Sequence, residues 1–287
     1  MLHRSEQVRL LTPSDLALIT RLLNTSEYIY QRFTLEELKH ILRTYPSVGL
    51  FQGTSLRSFL LSQTVNPPSA WIGGFGVTWT ESRAYLRFLD LQLEKLTLPL
   101  TEHGVRHFYY SGNDLENDWL RAPLLQRGFK PFRQLYAYDK FDYSIPTEGN
   151  QEVRLRRAET RDIPVLLSLE ELCFEQLWRY DAASFADIIF THPYFVVAEL
   201  DGQVIGYQFN ALDGEYGYLV RIAVHPAYNG RAIGARLMAE AMRFFKNARS
   251  TRIMLNTQEE NTHAHRLYEW FGFVRIRQIG FVLQQEL

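Results

Sequence analysis

Among 287 residues there is one cysteine, Cys173. A single thiol can neither close a disulfide within the chain nor build a multi-cysteine metal site, and no metal is expected. An excess of either charge is missing too: 31 Lys and Arg stand against 32 Asp and Glu, for a net charge of −1. That balance provides no general field for nucleic acid or for an anionic membrane, so neither is expected as a partner. No uninterrupted apolar run approaches the ~20 residues of a membrane span. The opening stretch MLHRSEQVRLL has no long apolar core of the signal-peptide kind. The expectation is a cytoplasmic protein. What is present excludes global disorder, since 46% of residues are hydrophobic and 14% aromatic. The length allows one large domain or two of about 140 residues.

The chain reads as two. Asp142–Glu152, DYSIPTEGNQE, is polar, contains Pro and Gly, lacks apolar periodicity and reads as a linker. Similar segments flank it. Val8-Arg9-Leu10, followed by Asp15, resembles Val153-Arg154-Leu155 followed by Asp162. Leu124–Phe129 resembles Tyr268–Phe273, each ending in Gly-Phe. The spacing describes one unit duplicated, with domains at 1–145 and 151–287.

The second half is the easier to parse. Val153–Leu155 reads as a strand and Thr160–Phe174 as a helix. Tyr194–Glu199 and Val204–Asn210 alternate about Asp201-Gly202, a hairpin signal. Tyr216–Val224 is a strand and Arg231–Lys246 a helix, with Ile233, Leu237, Ala241 and Phe244 on its apolar side. Arg252–Asn256, a short helix Asn261–Phe271 closed by Gly272, and a strand Val274–Gln284 complete a β-α-β-β-β-α-β-α-β order.

Arg221–Met238, RIAVHPAYNGRAIGARLM, carries the most chemistry. A strand ends at Val224-His225-Pro226, and a short loop leads into a helix opening with Ala232, Gly234 and Ala235. First-turn N–H groups lack intrahelical partners, and the helix dipole places positive charge at the same point. Small side chains let a diphosphate reach the backbone. The loop therefore implies a phosphate-bearing ligand.

Strand order, the V-x-P before the glycine loop, and Asn261-x6-Tyr268-x3-Gly272-Phe273 together resemble the GNAT superfamily of acyl-CoA-dependent N-acetyltransferases. The likeness is clear over Val153–Leu287 and faint over residues 8–141. It implies an α/β fold of two tandem GNAT-like domains, each a mixed, mostly antiparallel sheet flanked by helices. It also implies acetyl-CoA as co-substrate and direct attack by an amine in a ternary complex. In that family the loop usually reads Q/R-x-x-G-x-G/A; here it is Asn229-Gly230-Arg231-Ala232-Ile233-Gly234, with Ala232 in place of the first glycine. By resemblance the coenzyme is held by Ala223, Val224, Asn229, Gly230, Arg231, Ala232, Ile233, Gly234, Ala235 and Asn261. Strands on either side of the loop helix splay apart to admit the pantetheine arm, and the backbone near Ala223–Val224 offers an N–H to the thioester oxygen. Tyr268, on one helix face with Asn261, protonates the departing thiolate; packing in the core is its plainer role. For Asn261 the plainer role is a helix cap.

A strong base is missing. Family members often carry Glu or His at the positions of Tyr218 or Val220, and ribosomal-protein N-terminal acetyltransferases often carry a carboxylate at that of Asn256. Glu170, Glu171, Glu175 and Glu215 remain as candidates, each more simply a solvated surface group. A lysine amine of pKa about 10.4 is neutral far less often near pH 7.4 than an α-amine of about 7.8, a difference of about 3.5 kcal/mol. A site without a strong base therefore favours a peptide N-terminus or another weakly basic, amine-bearing small molecule. The other class of function is a non-catalytic acyl-CoA sensor or interaction module. Cys173 reads as a buried apolar residue, and His263 and His265 as solvent-facing. The N-terminal copy reads as degenerate and non-catalytic: the repeat offset carries Gly234 back to Asp90 and Tyr268 back to Leu124.

Overall fold

Two carboxylates with matching partners show how the chain is laid out. In the computed structural model, which describes residues 6–287, Asp15 accepts from both terminal nitrogens of Arg9 at 2.9 and 2.7 Å and from the Thr12 N–H at 2.9 Å. Asp162 accepts in the same way from Arg156, at 2.7 Å from each nitrogen, and from the Glu159 N–H at 2.8 Å. Both carboxylates are buried where a first strand turns into a first helix. A buried carboxylate demands this full set of donors, which makes the fork a fixed point of each half. The repeat is thus registered differently from the sequence expectation. Arg9 corresponds to Arg156 rather than to Arg154, because the repeated feature is the fork and not the Val-Arg-Leu tripeptide. The opening of MLHRSEQVRLL, residues 1–5, lies outside the described residues.

One unit extends to Arg133 and takes in Gly280–Leu287. It contains β1 (Glu6–Leu10), α1 (Leu16–Thr25), β2 (Ile29–Gln31), α2 (Leu35–Thr44), β3 (Ser47–Gln52), β4 (Ser55–Asn66), β5 (Ser69–Val77), α3 (Tyr85–Glu102), β6 (His107–Gly112) and α4 (Arg121–Leu125). Its strands run β1-β3-β4-β5-β6, parallel between β5 and β6 and antiparallel elsewhere, and residues 281–286 pair antiparallel with β6. Alternation along β4 sends Phe59 and Leu61 to the side of α1 and α2 and Leu60 to the side of α3. Both faces are covered, which is why the strand reads as a continuous apolar run.

The other unit is Gln134–Ile279. It holds the end of β7 (Lys130–Lys140), then β8 (Arg154–Arg157), α5 (Ile163–Cys173), α6 (Ala182–Thr191), β9 (Tyr194–Leu200), β10 (Gln203–Asp213), β11 (Tyr216–Val224), α7 (Ile233–Asn247), β12 (Arg252–Gln258), α8 (Thr262–Trp270) and the start of β13 (Val274–Glu286). The strand order is β7-β12-β11-β10-β9-β8, with β11 and β12 parallel. Tyr207 and Phe209 of β10 pack with Leu166 and Leu169 of α5 and Phe185 and Ile188 of α6. On the opposite face Leu237, Met238, Met242 and Phe245 of α7 cover Val196, Ala198 and Leu219.

Three expectations change. Helix α6 was not anticipated; its N-cap Asp181 accepts from the Ser184 N–H at 2.7 Å, and Phe185 and Ile188 give it a short buried stripe. The compact units are cut at 133/134 and 279/280 rather than between 1–145 and 151–287, because each half's last strand completes the other unit's sheet. The stretch 142–152 has fixed partners inside its unit. Lys140 Nζ, fully buried, donates to Asp142 at 2.6 Å and to Ser144 Oγ at 2.8 Å, and the Tyr143 hydroxyl donates to Ser250 O at 2.6 Å. Polar composition signals a loop, and these polar groups are spent on contacts.

Candidate active site

The site begins where two strands part. β11 and β12 pair through Tyr216↔Arg252, Gly217↔Ile253 and Tyr218↔Met254 and no further, although each strand continues. Beyond Tyr218 the strands splay as expected. A bulge adds to this: the β10–β11 register slips between Phe209 and Asn210, which leaves Val220 with no partner on β10 and 39% exposed. Extra residues of this kind bend a strand and increase its twist. The far end of β11 is thereby led away from β12.

A groove of about 640 Å³ opens at the splayed end. It is lined by Ile222, Ala223 and Val224 of β11, by Asn229, Gly230, Ala232, Ile233, Gly234 and Ala235 of the loop and α7, and by Asn261, Leu267 and Tyr268 of the β12–α8 connection and α8. Tyr268 and the residues expected to hold the coenzyme therefore come together except Arg231, which is exposed, with its guanidinium 5.4 Å from the Tyr228 ring. Backbone N–H groups from Gly230 through Ala235 have no hydrogen-bond acceptor among the described residues. A row of free donors at a helix start, against a groove lined by small residues, is the arrangement an anionic diphosphate needs. Helix α7 begins at Ile233, two residues later than expected, because Ala232 sits in the left-handed region at φ +56°. Glycine is the default residue for that conformation, so the family's usual glycine at this position has a plain backbone reason.

Tyr268 is buried and lines the groove. Its ring meets Tyr138 edge-on at 5.9 Å and Phe273 at 6.2 Å. Burial raises its phenol well above the ordinary range, with the neighbouring Tyr138 adding to the shift. The hydroxyl therefore keeps its proton at neutral pH. Asn261 caps α8, its side-chain oxygen accepting from the Ala264 N–H at 3.2 Å, and it lines the groove as well.

Other readings need correction. Glu170 is not solvated. It is buried on α5, where it accepts from the Tyr207 hydroxyl and from the Tyr180 N–H at 2.7 Å, with Arg221 at 3.6 Å. Arg221 in turn donates to Trp178 O at 2.7 Å and lies over the rings of Phe174 and Tyr180. Glu171, Glu175 and Glu215 are exposed, and none of the four carboxylates lines the groove. His265 is half-buried rather than solvent-facing, within 2.7 Å of the Tyr138 hydroxyl and 3.0 Å of Glu259 O. Cys173 is half-buried and lines the groove, and its thiol lies 3.4 Å from Val224 O. Burial, with the Glu170 carboxylate nearby, pushes that thiol up to about 11. Sequence spacing gave no warning of the Glu170–Arg221 pair, since only the fold brings α5 against β11.

The first unit has the same splay with a different content. β5 and β6 pair only over Ser69↔His107, Ala70↔Phe108 and Trp71↔Tyr109. Beyond them β2 adds to β5 through Ile29↔Gly76, Tyr30↔Phe75 and Gln31↔Gly74, and the Tyr30 hydroxyl donates to Ser111 O of β6 at 2.8 Å. The slot that is a groove in one unit is bridged by β2 in the other. Asp90 does not stand at the position of Gly234: α3 starts at Tyr85 where α7 starts at Ile233, and Asp90 lies well inside α3, paired with Arg127 at 2.5 Å. Leu124 does match Tyr268, as the Phe129 N–H returns to Leu124 O just as the Phe273 N–H returns to Tyr268 O.

Residues 163–273 match the sequence profile of the acetyltransferase (GNAT) family. A Bacillus subtilis protein assigned as a ribosomal protein bS18-alanine N-acetyltransferase is 28% identical over 120 residues, 41% of this chain and 78% of that protein. An N-alpha-acetyltransferase of Sulfurisphaera tokodaii is 25% identical over 150 residues, 44% of this chain and 83% of its own. Among solved structures, a tandem GNAT protein from the clavulanic acid biosynthesis pathway superposes with a TM-score of 0.68 at 12% identity, over 98% of both chains. A GCN5-related N-acetyltransferase from Sphaerobacter thermophilus gives 0.67 at 14% identity, over 100% of this chain and 97% of that one. Residues 163–273 thus match the GNAT acetyltransferase family, and the fold over the whole chain is that of tandem GNAT proteins.

Proposed function

We propose that the second unit transfers an acetyl group from acetyl-CoA to a weakly basic primary amine, of which a peptide N-terminus is the leading case. The row of free N–H donors from Gly230 to Ala235, opening on the same groove as Tyr268, carries this reading. Those N–H groups, with Asn229 beside them, would take the diphosphate. Ala223 and Val224, on the splayed edge of β11, would present backbone groups to the pantetheine arm and an N–H to the thioester oxygen. Asn261 would contact the coenzyme from the start of α8. Acetyl-CoA supplies an activated acyl carbon. The amine nitrogen bonds to that carbon and gives up one proton to water, the carbon–sulfur bond breaks, and Tyr268 gives its proton to the sulfur and regains one from solvent.

The acceptor class is supported by what the groove lacks. Among the described residues no carboxylate lines it, and Glu170 is already held by Tyr207, Tyr180 and Arg221. An amine that is neutral in a useful fraction at pH 7 needs no strong base. Two relatives bear names for acetylation at an alanine or an α-amine. The first unit is proposed to be non-catalytic, because β2 and Tyr30 occupy the place of the groove. In the full chain Gly234→Asp, which adds bulk 3.3 Å from Leu267 and a negative charge beside the donors, is expected to abolish acetyl-CoA binding in calorimetry. Unchanged affinity would overturn the site.

A further inference from the structure

The polar segment before β8 crosses the back of the anion loop. Glu148 pairs with Arg243 of α7 and approaches Arg236 at 3.9 Å. Gly149, at φ +67°, sits where a Cβ would come within 2.2 Å of the Arg236 nitrogen and 2.7 Å of Ala232 O, so a glycine is required for this approach. Asn150 then makes two bonds to the loop: its N–H donates to Ala232 O at 3.1 Å and its Nδ2 to Arg231 O at 3.1 Å. Its own Oδ1 is fixed by the Glu152 N–H at 2.9 Å.

These bonds aim the loop. In a planar trans peptide the C=O and the following N–H point in opposite directions. Holding the carbonyls of Arg231 and Ala232 against the segment turns the N–H groups of Ala232 and Ile233 away from it, to the side where those residues line the groove. The same two bonds bracket Ala232 in the left-handed conformation that an L-residue disfavours. Nothing in the alanine's own preference would keep these donors facing the groove.

We infer that Glu148–Asn150 is a strap and Asn150 a positioning residue for the diphosphate-binding donors. This rests on the groove being the acetyl-CoA site. The test uses the full chain carrying Asn150→Ser, which keeps an acceptor for the Glu152 N–H and loses the bond to Arg231 O. Calorimetry would compare acetyl-CoA and ADP, which carry a diphosphate, with S-acetylpantetheine, which does not. The expected result is a loss of roughly three- to tenfold for acetyl-CoA and ADP, the worth of one neutral hydrogen bond, with S-acetylpantetheine unchanged. Equal weakening of all three would mark a general structural role and overturn the inference. No weakening of any, alongside abolished binding in Gly234→Asp, would overturn the strap and leave the coenzyme site standing. A wild-type chain that binds acetyl-CoA no better than Gly234→Asp would overturn both.

Discussion

A fragment starting after the polar stretch, residues 151–287, should not fold by itself. Sequence composition makes that piece look self-sufficient, yet it lacks residues 134–140 of β7. Those residues supply the strand beside β12, paired with it from Ile253↔Lys140 to Gln258↔Leu135. Tyr138 among them is fully buried, packed in the cluster with Met242, Phe271 and Tyr268. Emptying an aromatic site in a core costs on the order of 3–5 kcal/mol. Baring the β12 edge removes a ladder of backbone hydrogen bonds at about 1 kcal/mol net apiece. Together these losses approach the whole stability of a typical domain, about 5–15 kcal/mol. The fragment is expected to show no cooperative transition in thermal circular dichroism and no calorimetric heat with acetyl-CoA, and a fragment beginning at residue 134 to regain both. A 151–287 fragment that melts cooperatively near the full chain's Tm and binds acetyl-CoA as tightly would refute the reasoning.

Tyr268→Phe should lower kcat by roughly 10²–10⁴, the usual scale of acid–base catalysis, with acetyl-CoA affinity nearly unchanged; equal turnover would leave Tyr268 a packing residue. A peptide with a free N-terminus should outpace its N-acetylated counterpart carrying one lysine near pH 7.4, and the reverse preference would mean that a strong base serves the site. Asp142, held down to about 2 by the buried Lys140 ammonium and by Ser144, has a folded pKa below its unfolded one. Its contribution is therefore present above the ordinary carboxylate pKa and lost as pH falls toward 2. Asp142→Asn should lower the Tm at pH 7 and narrow the gap to wild type in acid; an unchanged gap from pH 7 to 2 would refute the linkage.

The legibility of the second unit and the opacity of the first have one cause. The loop from Asn229 to Ala235 announces its chemistry locally, because free N–H groups at a helix start need small residues in a row and nothing from elsewhere in the chain. Tyr268 and Asn261 were legible for the same reason, sharing a helix face at fixed spacing. Features that depend on distant partners were not. Glu170 looks like any helix-surface carboxylate until Arg221 and Tyr207 come from other strands to bury it. His265 looks solvated until β7 brings Tyr138 to it. The exchange of last strands left no local mark, since β7 and β13 have the composition of any strand and differ only in which sheet they join.

The first unit, proposed above to be non-catalytic, is the sharper case. Sequence reasoning placed the cause in a lost phosphate loop, with Asp90 where a diphosphate would sit. Asp90 is instead engaged with Arg127, inside a helix that starts earlier than the repeat offset implied. What fills the slot is a three-residue strand, Ile29–Gln31, that takes the backbone edge of β5 just where β5 leaves β6. Tyr30 then spans the remaining gap to Ser111. A splayed strand pair is an open edge, and an open edge either receives a ligand arm or must be covered. In the second unit residues 176–178 form a single 3-10 turn at the matching point between the two first helices, and the edge of β11 stays free. The difference between an open groove and a bridged slot thus turns on whether the segment between two helices becomes a strand.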